Sequence, residues 1–451
     1  MKRISIIGGG ASGTLLAVNL LLNAGDSDLQ INLIERKSRV GRGVAFGTTQ
    51  ASHLLNVPAG RMGAFPDDIE HFHKWLGAKG HVFDSHDFVP RRLFGEYLRD
   101  VFTNHSTGLK SNIRLNLIDD EAVDLSVNRD SAEVMLKSGE IIPSHNVVLA
   151  FGNFNPPHPS VADVSFADSP KYFRDPWGSN LYESISPEDS VFVVGTGLSM
   201  VDVALHLYKT GHKGKTTAIS TRGLLPTVHK LGYIYPSFYD ELKPVRRITD
   251  LLKTVRRHVD LAESNGSNWR AVIDSLRPAT QQIWLDLPLA EKRYFMQHLS
   301  RYWNVARHRM PAEAAAIIDE MTANDNFEIL RGRLTTIEQN DNGFDIEYST
   351  VDARTNISAN ILVNCIGSQA NFSKIDSTFV RNLIARKHIR NDELSLGIAA
   401  SPDGNVIDKN GEFSTVVYTL GTALKGILWE STAIPEIRTQ AKQLALKLLS
   451  N

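Results

Sequence analysis

Cysteine is almost absent. Cys365 is the only one in 451 residues, which excludes an internal disulfide and any paired-thiol redox motif and fits a reducing compartment. Neither sign of charge dominates, with 49 Lys and Arg against 50 Asp and Glu. No overall field therefore draws the chain to nucleic acid or to an anionic membrane. No apolar run approaches the roughly 20 residues of a membrane helix. Lys2, Arg3, an apolar stretch and small residues near Ala24 have the outline of a secretory leader, but glycines and Asn19 interrupt the run. A cytoplasmic protein, with neither nucleic acid nor membrane as partner, is expected. H-E-x-x-H and G-x-S-x-G are missing, which removes the zinc-protease and serine-esterase readings. His71 and His73 stand two apart, the wrong spacing for one helical face, so no metal site is expected. Low-complexity tracts are also lacking.

What is present begins at residues 4–13, ISIIGGGASG. An apolar strand runs into Gly8, Gly10 and Gly13, the spacing G-x-G-x-x-G. The first glycine allows a tight turn, the second lets backbone approach a pyrophosphate, and the third lets the following helix pack on the sheet. The phosphates belong at that helix's N-terminus, near Ala11 and Ser12, where N–H groups are free. LLAVNLLLNAG (15–25) reads as the helix and QINLIE (30–35) as the next strand. It ends in Glu35, placed to accept from a ribose hydroxyl.

The logic repeats at 191–223. VFVVG leads into Gly195, Gly197, Leu198 and Ser199, then a helix to about Tyr208, then the strand TTAIS. Here the second strand is followed by Arg222 instead of an acid. A guanidinium suits a 2′-phosphate, which a carboxylate would repel; the bland alternative is a solvated arginine. Two such units, opposite in charge at the same point, predict FAD at the first and NADPH at the second.

The expected fold class is α/β: two Rossmann-like dinucleotide-binding domains with a helical insertion. Residues 1–157 form the first part of the FAD domain and 158–325 the NADPH domain, with a helical insertion at about 240–323. Residues 326–451 complete the FAD domain. VVLAFGNFNPPHP (147–159), with Gly152, reads as the crossing out. ANILVNCIGSQANF (359–372), with Gly367, reads as the return, and 327–350 as a hairpin around Asn342-Gly343. A last helix is expected from about Ser431 to Leu449, with Pro435 in its first turn.

Further candidates are less local. HLLNVPAGRM (53–62) is apolar with one amide and one guanidinium, which suits a flavin slot. There Asn56 is the candidate catalytic donor, or else an asparagine capping a turn. Val57, Arg61 and Arg42 join it as candidate cofactor contacts; a salt bridge is the plain alternative for Arg61. Gly421 and the backbone from Leu428 to Thr432, ahead of the last helix, would meet the flavin edge and favour its anionic reduced form. An ordinary capped helix is the alternative. The basic run Arg301–Arg309, and Arg91 with Arg92, are either contacts for an acidic substrate or solvated faces.

These motifs occur in a fixed order: the first glycine loop, LLNVPAGRMGAFPDD (54–68), FVPRRLFGEYL (88–98), GTGLSMVD (195–202), WNVARHRMP (303–311) and GTALKGILWESTAIPEIR (421–438). Over nearly the whole chain this resembles the bacterial FAD/NAD(P)-binding flavoprotein family that includes aspartate N-monooxygenase, related to class B flavin monooxygenases. The resemblance implies that Gly8, Gly10, Gly13 and Glu35 hold FAD. It likewise implies that Gly195, Gly197, Ser199 and Arg222 hold NADPH, and that Asn56-Val57-Pro58 matches the Asn-x-Pro beside the flavin. LAFGNFNPPHP shares only glycine, proline and histidine with the F-x-G-x-x-x-H-type stretch of class B enzymes. The expected activity is NADPH-dependent oxygenation of a small nucleophile, an amine or amino acid, with molecular oxygen. The alternatives are a reductase with a non-oxygen acceptor or a non-catalytic FAD-binding redox sensor.

Overall fold

The computed structural model describes residues 1–36, 39–178, 180–408 and 410–450. Two parallel sheets organise it. The first has six strands in the spatial order Asn405–Ile407, Phe413–Thr419, Asn146–Leu149, Lys2–Ile7, Leu29–Ile34 and Ile113–Ile118. All its pairings are parallel except the one between Asn405–Ile407 and Phe413–Thr419. Helices cover one face of this sheet, and the antiparallel strands Ala122–Val127, Ala132–Leu136 and Ile141–Ser144 with helix Thr378–Ala385 cover the other, so its central strands are apolar on both sides. Helix Ala11–Asn23 packs against the C-terminal helix Ile434–Ser450 over a core including Leu16, Leu20, Ala441 and Leu448. Ser5, buried mid-strand, is satisfied by Ser144 at 2.6 Å and by the Asn32 amide at 3.2 Å.

The second sheet has the order Phe327–Arg331, Thr216–Ser220, Val191–Val194, Ile361–Asn364 and Tyr172–Phe173, all parallel. This corrects the expected return to the first domain at 326. Phe327–Arg331 and Ile361–Asn364 both belong to the second sheet, and the chain rejoins the first sheet only at Asn405–Ile407 and Phe413–Thr419. The hairpin around Asn342-Gly343 does form, from Arg333–Asn340 and Gly343–Ser349, with Arg354–Ala359 as a third strand.

The helical insertion is shorter than expected. Its helices lie between Tyr239–Leu242 and Ser300–Arg307, around Leu251, Val272, Trp284 and Phe295. Helix Ala312–Ala323 instead buries Ala314 and Ile318 with Val193 and Phe327, as the crossover helix of the second sheet. No helix among the described residues is long and apolar enough to cross a membrane.

The two sheets are joined by a buried polar seam. Arg91, at the start of helix Arg91–Ser106, reaches Asp202 on helix Leu198–Lys209 at 2.9 Å. The Asp202 carboxylate also accepts from the Trp177 indole at 3.2 Å. Beside this pair, His53 is bonded through its two ring nitrogens to Thr48 at 2.8 Å and Tyr182 at 2.9 Å. Ser52 meets His206 at 3.1 Å, and Tyr182 stacks on His206 with centroids 3.7 Å apart. Burial raises the Asp202 pKa although Arg91 opposes the shift. Burial lowers that of His53 to about 3.

Two outcomes follow from this seam. Arg91→Ala strands a buried carboxylate and should cost about 3–5 kcal/mol in chemical denaturation, part of which Asp202→Asn recovers. His53 is held neutral, so its contribution is complete above its unfolded pKa near 6.5. That contribution is lost as pH falls toward about 3. Over that window His53→Gln should flatten the dependence of stability on pH by up to ~1.4 kcal/mol per unit.

Candidate functional site

The two glycine loops are built alike. Gly8 has φ +106° and Gly195 φ +111°, a region that side chains avoid. Each also lies against the end of a neighbouring parallel strand. A Cβ on Gly8 would stand 2.8 Å from the Ala150 carbonyl oxygen, and one on Gly195 would stand 2.5 Å from that of Cys365. The third positions differ. A Cβ on Gly13 would fall 1.9 Å from the Gly8 oxygen, so only glycine lets this helix approach. Five residues after Gly195 stands Met200, fully buried, and the second helix start accommodates a side chain there.

Gly10 and Gly197 are the N-caps of the two helices, and neither provides a side chain to cap them. The first-turn N–H groups, at Ala11 and Ser12 and at Leu198 and Ser199, are left for an anion. Around Gly197 nothing lies within 4 Å of a built Cβ; Gly10 faces Gly43 at 3.5 Å. The loop carrying Gly43 is fixed by Gly41, whose N–H donates to the Gly9 oxygen at 2.8 Å. Arg42 lies on that loop with its stem against Gly95.

Glu35 ends over the first loop, where its Oε2 accepts from the Gly9 N–H at 2.6 Å. Burial raises its pKa, while that hydrogen bond opposes the rise. At the corresponding place in the second unit Arg222 is exposed. No carboxylate partner for it occurs among the described residues. Thr196, between the two glycines, donates to the Leu224 oxygen at 2.6 Å and lies within hydrogen-bond distance of the Ser220 hydroxyl at 2.9 Å, which ties the Arg222 loop to the nucleotide loop.

Arg331 escaped the sequence reading. It is exposed and pairs in register with Ser220 on the adjacent strand. Its Cβ is 3.3 Å from where Gly223 would carry one. Only the parallel pairing of 216–220 with 327–331 brings Arg331 against the loop that carries Arg222.

Asn56 sits on a half-buried loop held by residues 85–90: Leu55 N–H donates to the Val89 oxygen and Ala59 N–H to the Asp87 oxygen, both at 2.9 Å. His229 donates from Nε2 to the Asn56 oxygen at 3.1 Å, and burial lowers its pKa to about 4. The Asn56 side-chain amide has no partner among the described residues. Val57 packs on the first core. Arg438, on the C-terminal helix, donates to the Arg61 and Gly63 oxygens at 3.2 and 2.9 Å, while the Arg61 side chain is exposed.

The C-terminal segment closes over the first loop. Gly421, φ +72°, would place a Cβ 2.5 Å from the Ser12 hydroxyl, and Ser431 donates to the Gly421 oxygen at 2.8 Å. Leu428 is buried beside it, Thr432 is exposed, and the helix starts at Ile434 with Pro435 in its first turn. Glu436 forms a bidentate pair with Arg277 at 2.9 and 3.0 Å. Lys425 lies half-buried over the Trp429 ring at 5.7 Å with no carboxylate partner among the described residues, and burial lowers its pKa.

The structure thus brings Gly8–Gly13, Glu35, Gly421 and Ser431 together, with the Asn56 loop joined to the last helix through Arg438. Gly152 and Gly367 each follow by two residues the carbonyls of Ala150 and Cys365 that back Gly8 and Gly195, and nothing lies within 4 Å of a Cβ built on either. The basic runs are corrected. Arg307 pairs with Glu430 at 3.1 Å and Arg309, 2% exposed, with Asp274 at 2.9 Å. With Arg91 already committed to Asp202, these three are internal partners of carboxylates. Arg92 faces Glu96 one helical turn away at 3.7 Å. His71 and His73 are bonded to the Tyr97 hydroxyl at 2.7 Å and the Phe83 oxygen at 2.9 Å.

A family model described as FAD-NAD(P)-binding matches residues 5–154. The uncharacterized protein YdhS of Escherichia coli is 25% identical over 219 residues, or 46% of this chain, and the match spans only 39% of that relative. Among solved structures, the ornithine N-hydroxylase of Kutzneria sp. 744, in a complex with reduced FAD, NADP+ and L-ornithine, aligns with TM-score 0.64 and 13% identity. That alignment covers 99% of this chain and 98% of the other. L-lysine 6-monooxygenase of Pseudomonas syringae gives 0.64 and 15%, over 99% and 98%. The thioredoxin reductase of Lactococcus lactis gives 0.55 and 10%, over 100% and 99%. Residues 5–154 therefore carry an FAD-NAD(P)-binding domain, and the chain shares the fold of these enzymes over nearly its whole length.

Proposed function

We propose that the chain is an FAD-dependent, NADPH-using monooxygenase of the N-hydroxylating type, acting on a small nucleophile such as an amine or amino acid. The observation that carries this reading is the opposition of Glu35 and Arg222 at equivalent ends of two matched nucleotide loops. A carboxylate suits an unphosphorylated ribose and a guanidinium a 2′-phosphate. The likeness in fold to enzymes named for ornithine and lysine supports an amine substrate.

The residues fit the two nucleotides. Ala11 and Ser12 offer N–H groups to one pyrophosphate and Leu198 and Ser199 to the other, without a side chain at Gly10 or Gly197 to obstruct them. FAD, when bound and reduced, supplies the oxygen chemistry. Glu35 accepts from a ribose hydroxyl. Arg222, with Arg331 against its loop, holds the extra phosphate. Asn56 offers its unpartnered amide as a donor to bound substrate or oxygen.

A reductase is the second reading, favoured by the likeness in fold to thioredoxin reductase. Cys365 is the only cysteine and is buried, so this chain lacks a dithiol of its own for disulfide exchange.

Anaerobic NADPH should bleach the bound flavin, and oxygen with an amine panel should yield an N-hydroxylated product in proportion to NADPH consumed. Hydrogen peroxide alone across the panel would overturn the monooxygenase reading. Arg222→Ala should lower the NADPH-over-NADH ratio of kcat/KM by about 10–100-fold, the worth of a charge-assisted contact. An unchanged ratio removes Arg222 from the 2′-phosphate site.

A further inference from the structure

The helical insertion lines a cavity of about 250 Å³ that opens to the surface on one side. Native cores seldom leave gaps larger than a water molecule, so a space of this size is a feature of the subdomain. Its walls come from the insertion helices and from Trp429, which belongs to the segment between Gly421 and the last helix. Leu251, Val255, Ile283, Phe295 and Ala306 line it, and the lining is almost wholly carbon.

The aromatic walls are preformed. Trp284 stacks on Trp429 with centroids 4.9 Å apart, and Phe295 packs edge-on against both at 5.6 and 5.4 Å. Two of the indole N–H groups are committed to other partners. Trp284 donates to the Gly426 oxygen at 2.9 Å and Trp303 to the Glu430 carboxylate at 2.8 Å. Arg307 is paired with Glu430 and Arg277 with Glu436, while Lys425 and Lys292 lie over the Trp429 and Trp284 rings at 5.7 and 5.6 Å, outside the lining. Tyr302, also in the lining, is 48% exposed, so the cavity reaches the surface beside it.

We infer that this cavity is a binding site for a small neutral apolar molecule, about one or two aromatic rings in size, distinct from the two nucleotide sites. A charged amine would lose its hydration here without gaining a partner. An apolar molecule exchanges water for carbon walls already in place, and engineered cavities of about 150 Å³ with such walls bind benzene. A helix or peptide is too large for the volume. The site backs directly onto the loop that carries Leu428, so its occupant would steady that loop from behind. The inference stands whether or not the flavin chemistry proposed above is correct.

The test uses the full chain with p-xylene as probe and tryptophan emission as readout, because Trp284, Trp303 and Trp429 all line the cavity. Saturable change in emission and a raised Tm are expected with p-xylene, and neither with cadaverine or benzoate. Ala306→Leu, which fills the space, should weaken p-xylene binding at least tenfold, and Val255→Phe provides the same check from the opposite helix. Flavin content reports that each variant is folded. Absence of saturation with the unaltered chain overturns the site. So does undiminished binding in both folded variants, or a preference for the charged probes.

Discussion

The ion pair between Arg91 and Asp202 is the contact on which the arrangement of the two halves depends. It links the helix that follows the Asn56 loop to the helix that follows the second glycine loop. A buried pair of this kind is a poor source of net stability, but it penalises any other alignment of its partners heavily. The bonds from Thr48 through His53 to Tyr182, and from Ser52 to His206, reinforce the same alignment with neutral groups. The two glycine loops are consequently held in a fixed relation to each other, although each is complete within its own sheet.

Those loops show how far one design can be reused. The positive φ and the carbonyl behind it are common to Gly8 and Gly195, because both turns leave a strand flanked by a parallel neighbour. The departure at Met200 changes how the second helix packs on its core, and the change from Glu35 to Arg222 reverses the charge after the second strand of the unit. A shared backbone with divergent side chains is how one fold comes to carry different sites.

The glycine loops, their helices and the acid or base that follows were legible in the sequence because they depend on neighbours within about 30 residues. The domain boundary was not. Phe327–Arg331 reads as half of a hairpin, and only its parallel pairing with Thr216–Ser220 places it in the second sheet. The same register made Arg331 visible. Arg91, Arg307 and Arg309 looked available for substrate because a sequence does not show the distant carboxylates that neutralise them. Charge runs therefore misled where spacing did not: a spacing encodes its own geometry, and a charge does not name its partner.

The scarcity of cysteine acquires a use once the fold is known. Cys365 lies at the end of Ile361–Asn364, 5% exposed, with its carbonyl directly behind Gly195. Burial raises its thiol pKa well above the ordinary value, and Asp202 pushes in the same direction. Such a thiol is inert while covered. Alkylation of the intact chain can then proceed only as fast as the second nucleotide loop and its seam part, and a single unmodified sulfur becomes a clock for that opening.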